Sequence, residues 1–168
     1  MKAKTLSNVT FRIMTIDDFD DFLYLKSDYA NIAWGGFMTK PDRTQFYKWY
    51  EKAIQSETRF MYIVHCNNKP IAYFSVEKTS NDEYELANVG VIGTHTGNGL
   101  GTYLLKCAED IALKNGAKTL SAWVSENNIA SYKMFLKLGY EKQTTYDVRH
   151  LPLLGGEHRF FKYVKKIS

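Results

Sequence analysis

The chain has 168 residues, 45% of them hydrophobic, and carries a net charge of +4, which suits one domain spanning 1–168 and excludes global disorder. Charge this mild, with no dense basic run beyond Lys162, Lys165 and Lys166, excludes the usual nucleic-acid signature, although it would help to draw in an anionic ligand. No stretch is long and apolar enough to span a bilayer, and the start MKAKTLSNVTF lacks the apolar core of a signal peptide, so a cytoplasmic protein is expected.

Residues 9–14, VTFRIM, predict a strand. TIDDFDDFLYLKSD then predicts a helix capped by Thr15, with Asp17 and Asp18 in its first turn and an apolar stripe of Phe19, Phe22 and Leu23. The segment ANIAWGGFMTKPD is expected to connect to a second helix, TQFYKWYEKAI, with Phe46, Trp49 and Tyr50 on one side. The period then changes. RFMYIVHC, KPIAYFSVEK and EYELANVGVI predict a three-stranded meander over 59–92, turning at Asn67-Asn68 and Asn81-Asp82. A helix follows near 99–115 and stops at Asn115-Gly116, with Leu100, Tyr103, Leu104, Cys107 and Ile111 in register. TLSAWVSE, IASYKMFLKLG, YEKQTTYDVRH and HRFFKYVKK complete the order as strand, helix, strand and strand. That order, β-α-α-β-β-β-α-β-α-β-β, defines an α/β domain, a mixed sheet with helices against it.

The passage VIGTHTGNGLG carries the chemistry. Gly97, Gly99 and Gly101 stand where a strand hands over to a helix, although glycine in a helix interior costs about 1 kcal/mol against alanine. The loop is not a Walker-type site, which needs Lys and Ser/Thr after its last glycine. Nor is it a Rossmann turn, which needs G-x-G-x-x-G. What it offers is a row of backbone N–H groups, bare of side chains, ahead of a helix N-terminus: an anion site by geometry and dipole, or else a tight structural turn.

VIGTHTGNGLG resembles motif A of the GNAT superfamily of N-acetyltransferases, V-x-x-x-x-[RQ]-x-x-G-x-[GA], with Val91 in the valine position and Gly99 and Gly101 as the two motif glycines. Thr96 stands where the motif has Arg or Gln. NIASYKMFLKLGY, residues 128–140, is similar to motif B, N-x-x-[AS]-x-x-x-[Y]-x-x-x-G-[FY], with Phe135 in place of its tyrosine. The resemblance covers about residues 9–166, and both blocks fall on the matching strand order. It implies the GNAT fold, a mixed, mostly antiparallel twisted sheet of about seven strands flanked by about four helices.

The resemblance further implies acetyl-CoA as co-substrate and an amine acceptor, with no metal. Cys66 and Cys107 match neither zinc spacing nor a disulfide framework, and no His/Cys/carboxylate constellation stands elsewhere. The pyrophosphate would lie on Thr96, Gly97, Asn98, Gly99, Leu100, Gly101 and Thr102. The thioester carbonyl and pantetheine arm would meet the backbone of Val89, Gly90 and Val91. Asn128, Ser131 and Phe135 would lie along the cofactor.

Glu85 is the candidate base; strict alternation would put it on the same face as Val91, six residues on. Since Phe135 has no proton to give, Tyr132, one turn earlier, is the candidate acid. The acceptor would be sorted by the first helices, their loop and the last strands, where Trp34, Phe37 and Tyr146 stand out. The expected activity is acetyl transfer to a primary amine of a small molecule by direct attack in a ternary complex. A protein or peptide acetyltransferase and a non-catalytic acetyl-CoA sensor are the alternatives. Dimers are frequent among GNAT proteins, which leaves a homodimer open.

Overall fold

The computed structural model describes residues 8–97 and 99–168. Strand β1 (Val9–Ile13) leads through a short 3-10 turn into helix α1 (Phe19–Lys26), then α2 (Tyr29–Trp34) and α3 (Arg43–Ala53). A meander follows: β2 (Arg59–Cys66), β3 (Lys69–Lys78) and β4 (Glu83–Val91). Then come α4 (Leu100–Lys114), β5 (Thr119–Ser125), α5 (Ile129–Lys137), β6 (Glu141–Leu151) and β7 (Gly156–Lys166). The helix α2 falls inside the segment expected to be a connection; with Gly35 and Gly36 directly after it, six residues leave little periodic signal.

The seven strands form one sheet in the order β1-β2-β3-β4-β5-β7-β6. All neighbours are antiparallel except β4 and β5, which run parallel and pair only at Glu83, Tyr84 and Glu85. From Leu86 to Val91, β4 diverges from β5 and opens the sheet in the middle. The hairpins turn where expected: Asn67 and Asn68 take φ of 51° and 64°, the left-handed pair of a two-residue hairpin loop. Gly116 ends α4 at φ 88°.

Each sheet face takes its own helices. Tyr73, Ser75 and Met61 share one face, against which α1 and α3 lie, with Phe22 edge-on to Tyr73 at 5.1 Å. Phe74, Val76, Leu120 and Ala122 share the other, covered by α4 and α5 through Leu104, Leu105, Ala108 and Phe135. The predicted stripe on α4 is buried at Leu100, Leu104, Cys107 and Ile111. Lys162, Lys165 and Lys166 lie on strand β7, and two of them are tied down, Lys162 to Glu83 at 2.9 Å and Lys165 to Glu109 at 3.1 Å.

The acidic start of α1 is not a solvated face throughout. Asp18 is 3% exposed and closes a capping box with Thr15, its carboxylate accepting from the Thr15 N–H at 2.8 Å. Arg12 of β1 grips the same carboxylate with two hydrogen bonds, 2.7 and 2.6 Å. Burial alone would raise the pKa of Asp18, but Arg12 and the Thr15 N–H outweigh it and hold the carboxyl below its usual range. A carboxyl with a lowered folded pKa stabilises above its unfolded pKa and loses that contribution as the pH falls through the folded value. Replacing Asp18 by Ala is therefore expected to cost about 3 kcal/mol at neutral pH. Urea titrations should show that cost shrinking below about pH 4.

Candidate active site

The splay between β4 and β5 is widened by a bulge. Tyr73 pairs with Gly90 and Ser75 with Ala87, so Asn88 and Val89 together face the single residue Phe74. Asn88 takes φ 50°, a left-handed conformation that asparagine tolerates. Ser75 Oγ donates to the Ala87 carbonyl at 2.7 Å and fixes the bulge from β3. The extra residue inverts the alternation beyond it. Glu85, opposite Glu77, therefore shares a face with Gly90, opposite Tyr73, while Val91 lies on the other side. This corrects the expectation that Glu85 and Val91 share a face.

Tyr73 lies directly over Gly90: a Cβ at that position would overlap the tyrosine's ring and hydroxyl. Glycine is needed here for close approach rather than for an unusual φ. Glu85 is half-buried and accepts a 2.7 Å hydrogen bond from Trp123 Nε1 of β5. Burial pushes its carboxyl pKa up; the Trp123 N–H opposes that shift and the nearby charge of Glu77 adds to it.

A cleft of about 630 Å³ opens on the same face. Its floor is Met61, Tyr73, Ser75 and Asn88, and its walls come from α1, the 35–42 loop and α3, including Phe37, Phe46 and Trp49. Asn88 and Lys26 are cleft residues that sequence reasoning passed over. An asparagine interrupting a strand was the available signal for the first; a helix-terminal lysine gives none.

At the start of α4, Gly97 and Gly99 have φ of 79° and 78°, and a Cβ on either would meet open space. Gly99 is the N-cap and has no side chain to cap with, so among the described residues the first N–H groups of this 15-residue helix are left uncapped. Thr96 turns its hydroxyl inward onto the Gly93 carbonyl at 3.0 Å. Asn98, expected on the pyrophosphate, lies outside the described residues. Leu100 is buried, and Gly101 packs on Met134 of α5. An uncapped helix start behind open glycines fits the pyrophosphate of a CoA thioester.

Of the α5 residues, Asn128 caps the helix, its side-chain oxygen accepting from the Ser131 N–H at 3.3 Å, while its amide NH2 has no partner among the described residues. Tyr132 is half-buried against the core. Phe135 is 5% exposed, edge-on to Tyr140 at 5.0 Å. Among the expected acceptor residues, the structure brings only Phe37 to the cleft. Trp34 packs on the buried His158 ring at 6.2 Å, and Tyr146 packs on Phe161 at 5.4 Å, on the face opposite Glu85. Among the described residues, no group of three or more His, Cys, Asp or Glu could hold a metal ion, and no helix is long and apolar enough to cross a membrane.

The site is thus an open mixed sheet, parted beside a bulged strand and followed by a glycine-led helix. The sequence matches the Acetyltransferase (GNAT) family over residues 21–140, and the chain belongs to that family, whose co-substrate is acetyl-CoA. It is 28% identical over 146 residues to an uncharacterized N-acetyltransferase of Methanocaldococcus jannaschii, covering 82% of this chain and 63% of that protein. The fold is shared with the spermidine N-acetyltransferase of Vibrio cholerae in complex with CoA and spermine, at TM-score 0.82 and 14% identity, over 96% of this chain and 97% of that one. It is shared too with the ribosomal-protein-S18-alanine N-acetyltransferase of Escherichia coli, at TM-score 0.72 and 21% identity, over 95% and 94% of the two chains.

Proposed function

We propose that this protein moves the acetyl group of acetyl-CoA onto the primary amine of a small molecule, by direct attack within a ternary complex. The observation that carries this reading is the cleft of about 630 Å³, walled by aromatics and floored by the bulge of β4, on the face that also holds Glu85. Such a volume suits a metabolite-sized acceptor.

Acetyl-CoA supplies a thioester whose acyl carbon is open to attack. The N–H groups of Gly97, Gly99, Leu100, Gly101 and Thr102 hold its pyrophosphate, assisted by the helix dipole. The backbone of Val89, Gly90 and Val91, released from β5, takes the pantetheine arm and polarises the carbonyl, and the amide of Asn128 adds a donor. Glu85 accepts the proton of the acceptor ammonium, directly or through water, which frees the lone pair for attack. As the new C–N bond forms and the C–S bond breaks, the hydroxyl of Tyr132 protonates the departing thiolate. Phe135 closes the core beneath it.

Thermal unfolding with acetyl-CoA, against NADH and ATP, tests the first half of this reading. Ligand at a hundred times its dissociation constant adds about 2.7 kcal/mol to stability, and only acetyl-CoA is expected to do so. Gly99→Val is expected to abolish that gain, because its side chain fills the open cradle at φ 78°. Thiol release with a panel of amines tests the second half. Turnover of protein N-termini but of no small amine would replace the small-molecule acceptor with a protein one.

A further inference from the structure

Five tyrosines are buried among the described residues, and three commit their hydroxyls to the protein. Tyr50 donates to the Thr15 carbonyl, Tyr84 to the Asn115 carbonyl at 3.4 Å, and Tyr140 to Glu109 at 2.9 Å. Tyr73 and Tyr163 have no hydrogen-bond partner among the described residues, and of these two only Tyr73 lines the cleft. Its oxygen is not sealed in. The fully enclosed side-chain polar atoms without a partner are Arg59 Nε and Ser121 Oγ, so the Tyr73 hydroxyl reaches the open space of the cleft.

That hydroxyl stands at the parted strand. A Cβ on Gly90 would lie 2.4 Å from Tyr73 Cε1, Cζ and Oη alike, which puts the oxygen within about 4 Å of the Gly90 Cα. Gly90 directly follows the bulge at Asn88 and Val89, in the part of β4 that has left β5. Phe22, edge-on at 5.1 Å, holds the ring from above. The phenol is therefore a polar group fixed in place before any ligand arrives.

Its surroundings keep it a donor. Burial raises the pKa of Tyr73 and the charge of Asp28 adds to the rise, so the phenol holds its proton at neutral pH. Asp28 starts α2 without a side-chain cap hydrogen bond. Lys26 lies over the same ring, 5.3 Å from its centre. Both are half-buried and neither makes an ion pair among the described residues. One unpaired charge of each sign thus acts near the phenol, and the ammonium offsets what the carboxylate would cost a neighbouring anionic oxygen.

We propose that the Tyr73 hydroxyl is a catalytic donor to the thioester, hydrogen-bonding the acetyl carbonyl oxygen beside Gly90 and stabilising the negative charge which that oxygen gains as the amine attacks. This rests on the acetyl-transfer reading above. The phenol keeps its proton throughout; it adds a side-chain donor to the backbone of β4. In an apolar cleft floor such a donor acts more strongly than water does.

The test compares Tyr73→Phe with Tyr50→Phe, the same loss of a hydroxyl at two buried rings. Acetyl-CoA isotope-labelled at its carbonyl is bound to each protein, and the carbonyl stretch is read by infrared difference spectroscopy. The stretch is expected at lower wavenumber on the wild-type protein and on Tyr50→Phe than on Tyr73→Phe. Tyr73→Phe should also bind acetyl-CoA about threefold to tenfold more weakly, the range for one neutral hydrogen bond, with binding of CoA unchanged. Without ligand it should melt no lower than wild type, whereas Tyr50→Phe, which loses a protein partner, should melt lower. With 2-phenylethylamine, glucosamine and spermidine as acceptor probes, Tyr73→Phe is expected to lower kcat about a hundredfold and to leave KM for the amine little changed.

A carbonyl stretch that Tyr73→Phe leaves in place overturns the proposal, and slower transfer with an unmoved stretch assigns the hydroxyl to the acceptor amine instead. Equal weakening of acetyl-CoA and CoA overturns it too, as does wild-type kcat in Tyr73→Phe. All of these leave acetyl transfer intact. If acetyl-CoA does not bind the wild-type protein, it is the underlying reading that falls, and this proposal falls with it.

Discussion

Glu85→Gln is expected to lower kcat by about a hundredfold, within the range for removing a general base, while acetyl-CoA still stabilises the protein. The amide is nearly isosteric and its oxygen can still accept from Trp123 Nε1, so the site geometry survives the change. The same variant is expected to melt at a higher temperature at pH 7. Burial raises the carboxyl pKa of Glu85, against the Trp123 N–H and with Glu77 adding to the rise. A group whose pKa is raised on folding stabilises below its unfolded value, about 4.3 for glutamate, and loses that stability as the pH climbs through the folded value. The wild-type protein should therefore gain stability relative to Glu85→Gln on acidification. Its kcat/KM should show an acidic limb above the usual carboxylate range that the variant lacks. Melting curves and pH–rate profiles of both proteins check the two halves. A variant with wild-type kcat would remove Glu85 from the chemistry.

Gly90→Ala is the second substitution with a large expected effect. The backbone at Gly90 does not take a positive φ, so alanine suits it; what fails is space, because the Cβ runs into the Tyr73 ring. Tyr73 is 4% exposed, edge-on to Phe22 and beneath Lys26, so it cannot yield without moving the cleft floor. Overpacking of this kind costs about 1–3 kcal/mol. Displacing the bulge by even about 1 Å is expected to reduce kcat/KM about a hundredfold. Adding Tyr73→Leu should return much of the lost stability by vacating the space. Denaturation of the two single variants and the double variant checks this: if Tyr73→Leu restores nothing, the close approach is not what requires glycine.

The contrast between what could be read from the residues and what could not follows the range of the forces involved. The meander, the hairpin at Asn67-Asn68 and the glycine-led helix are local: alternation, left-handed φ and helix periodicity are written in adjacent residues. The bulge is not. Asn88 looks like any polar strand residue until the register of β3 against β4 is known, and its one extra residue decides that Glu85 and Val91 lie on opposite faces. Asp18 likewise belongs to an evidently acidic turn, and only the arrival of Arg12 from β1 separates it from its exposed neighbours Asp17 and Asp20. Trp34 and Tyr146 stand out as large rings in the segments expected to sort the acceptor. A large ring is as often a packing element as a binding one, and here both rings pack, on His158 and on Phe161.

The short parallel ladder between β4 and β5 has a consequence for how the molecule opens. Strands β1 to β4 and strands β5 to β7 are each continuous antiparallel blocks, and three rungs at Glu83, Tyr84 and Glu85 join them within the sheet. Parting the blocks there breaks few backbone bonds, so the seam is the natural boundary between two cooperative units of local unfolding. Amide deuterium uptake should then be faster along Leu86–Val91 than in the interior of β3 and β7. A ligand strung between the blocks would act as a clasp, protecting amides on both sides of the seam, including many it never touches.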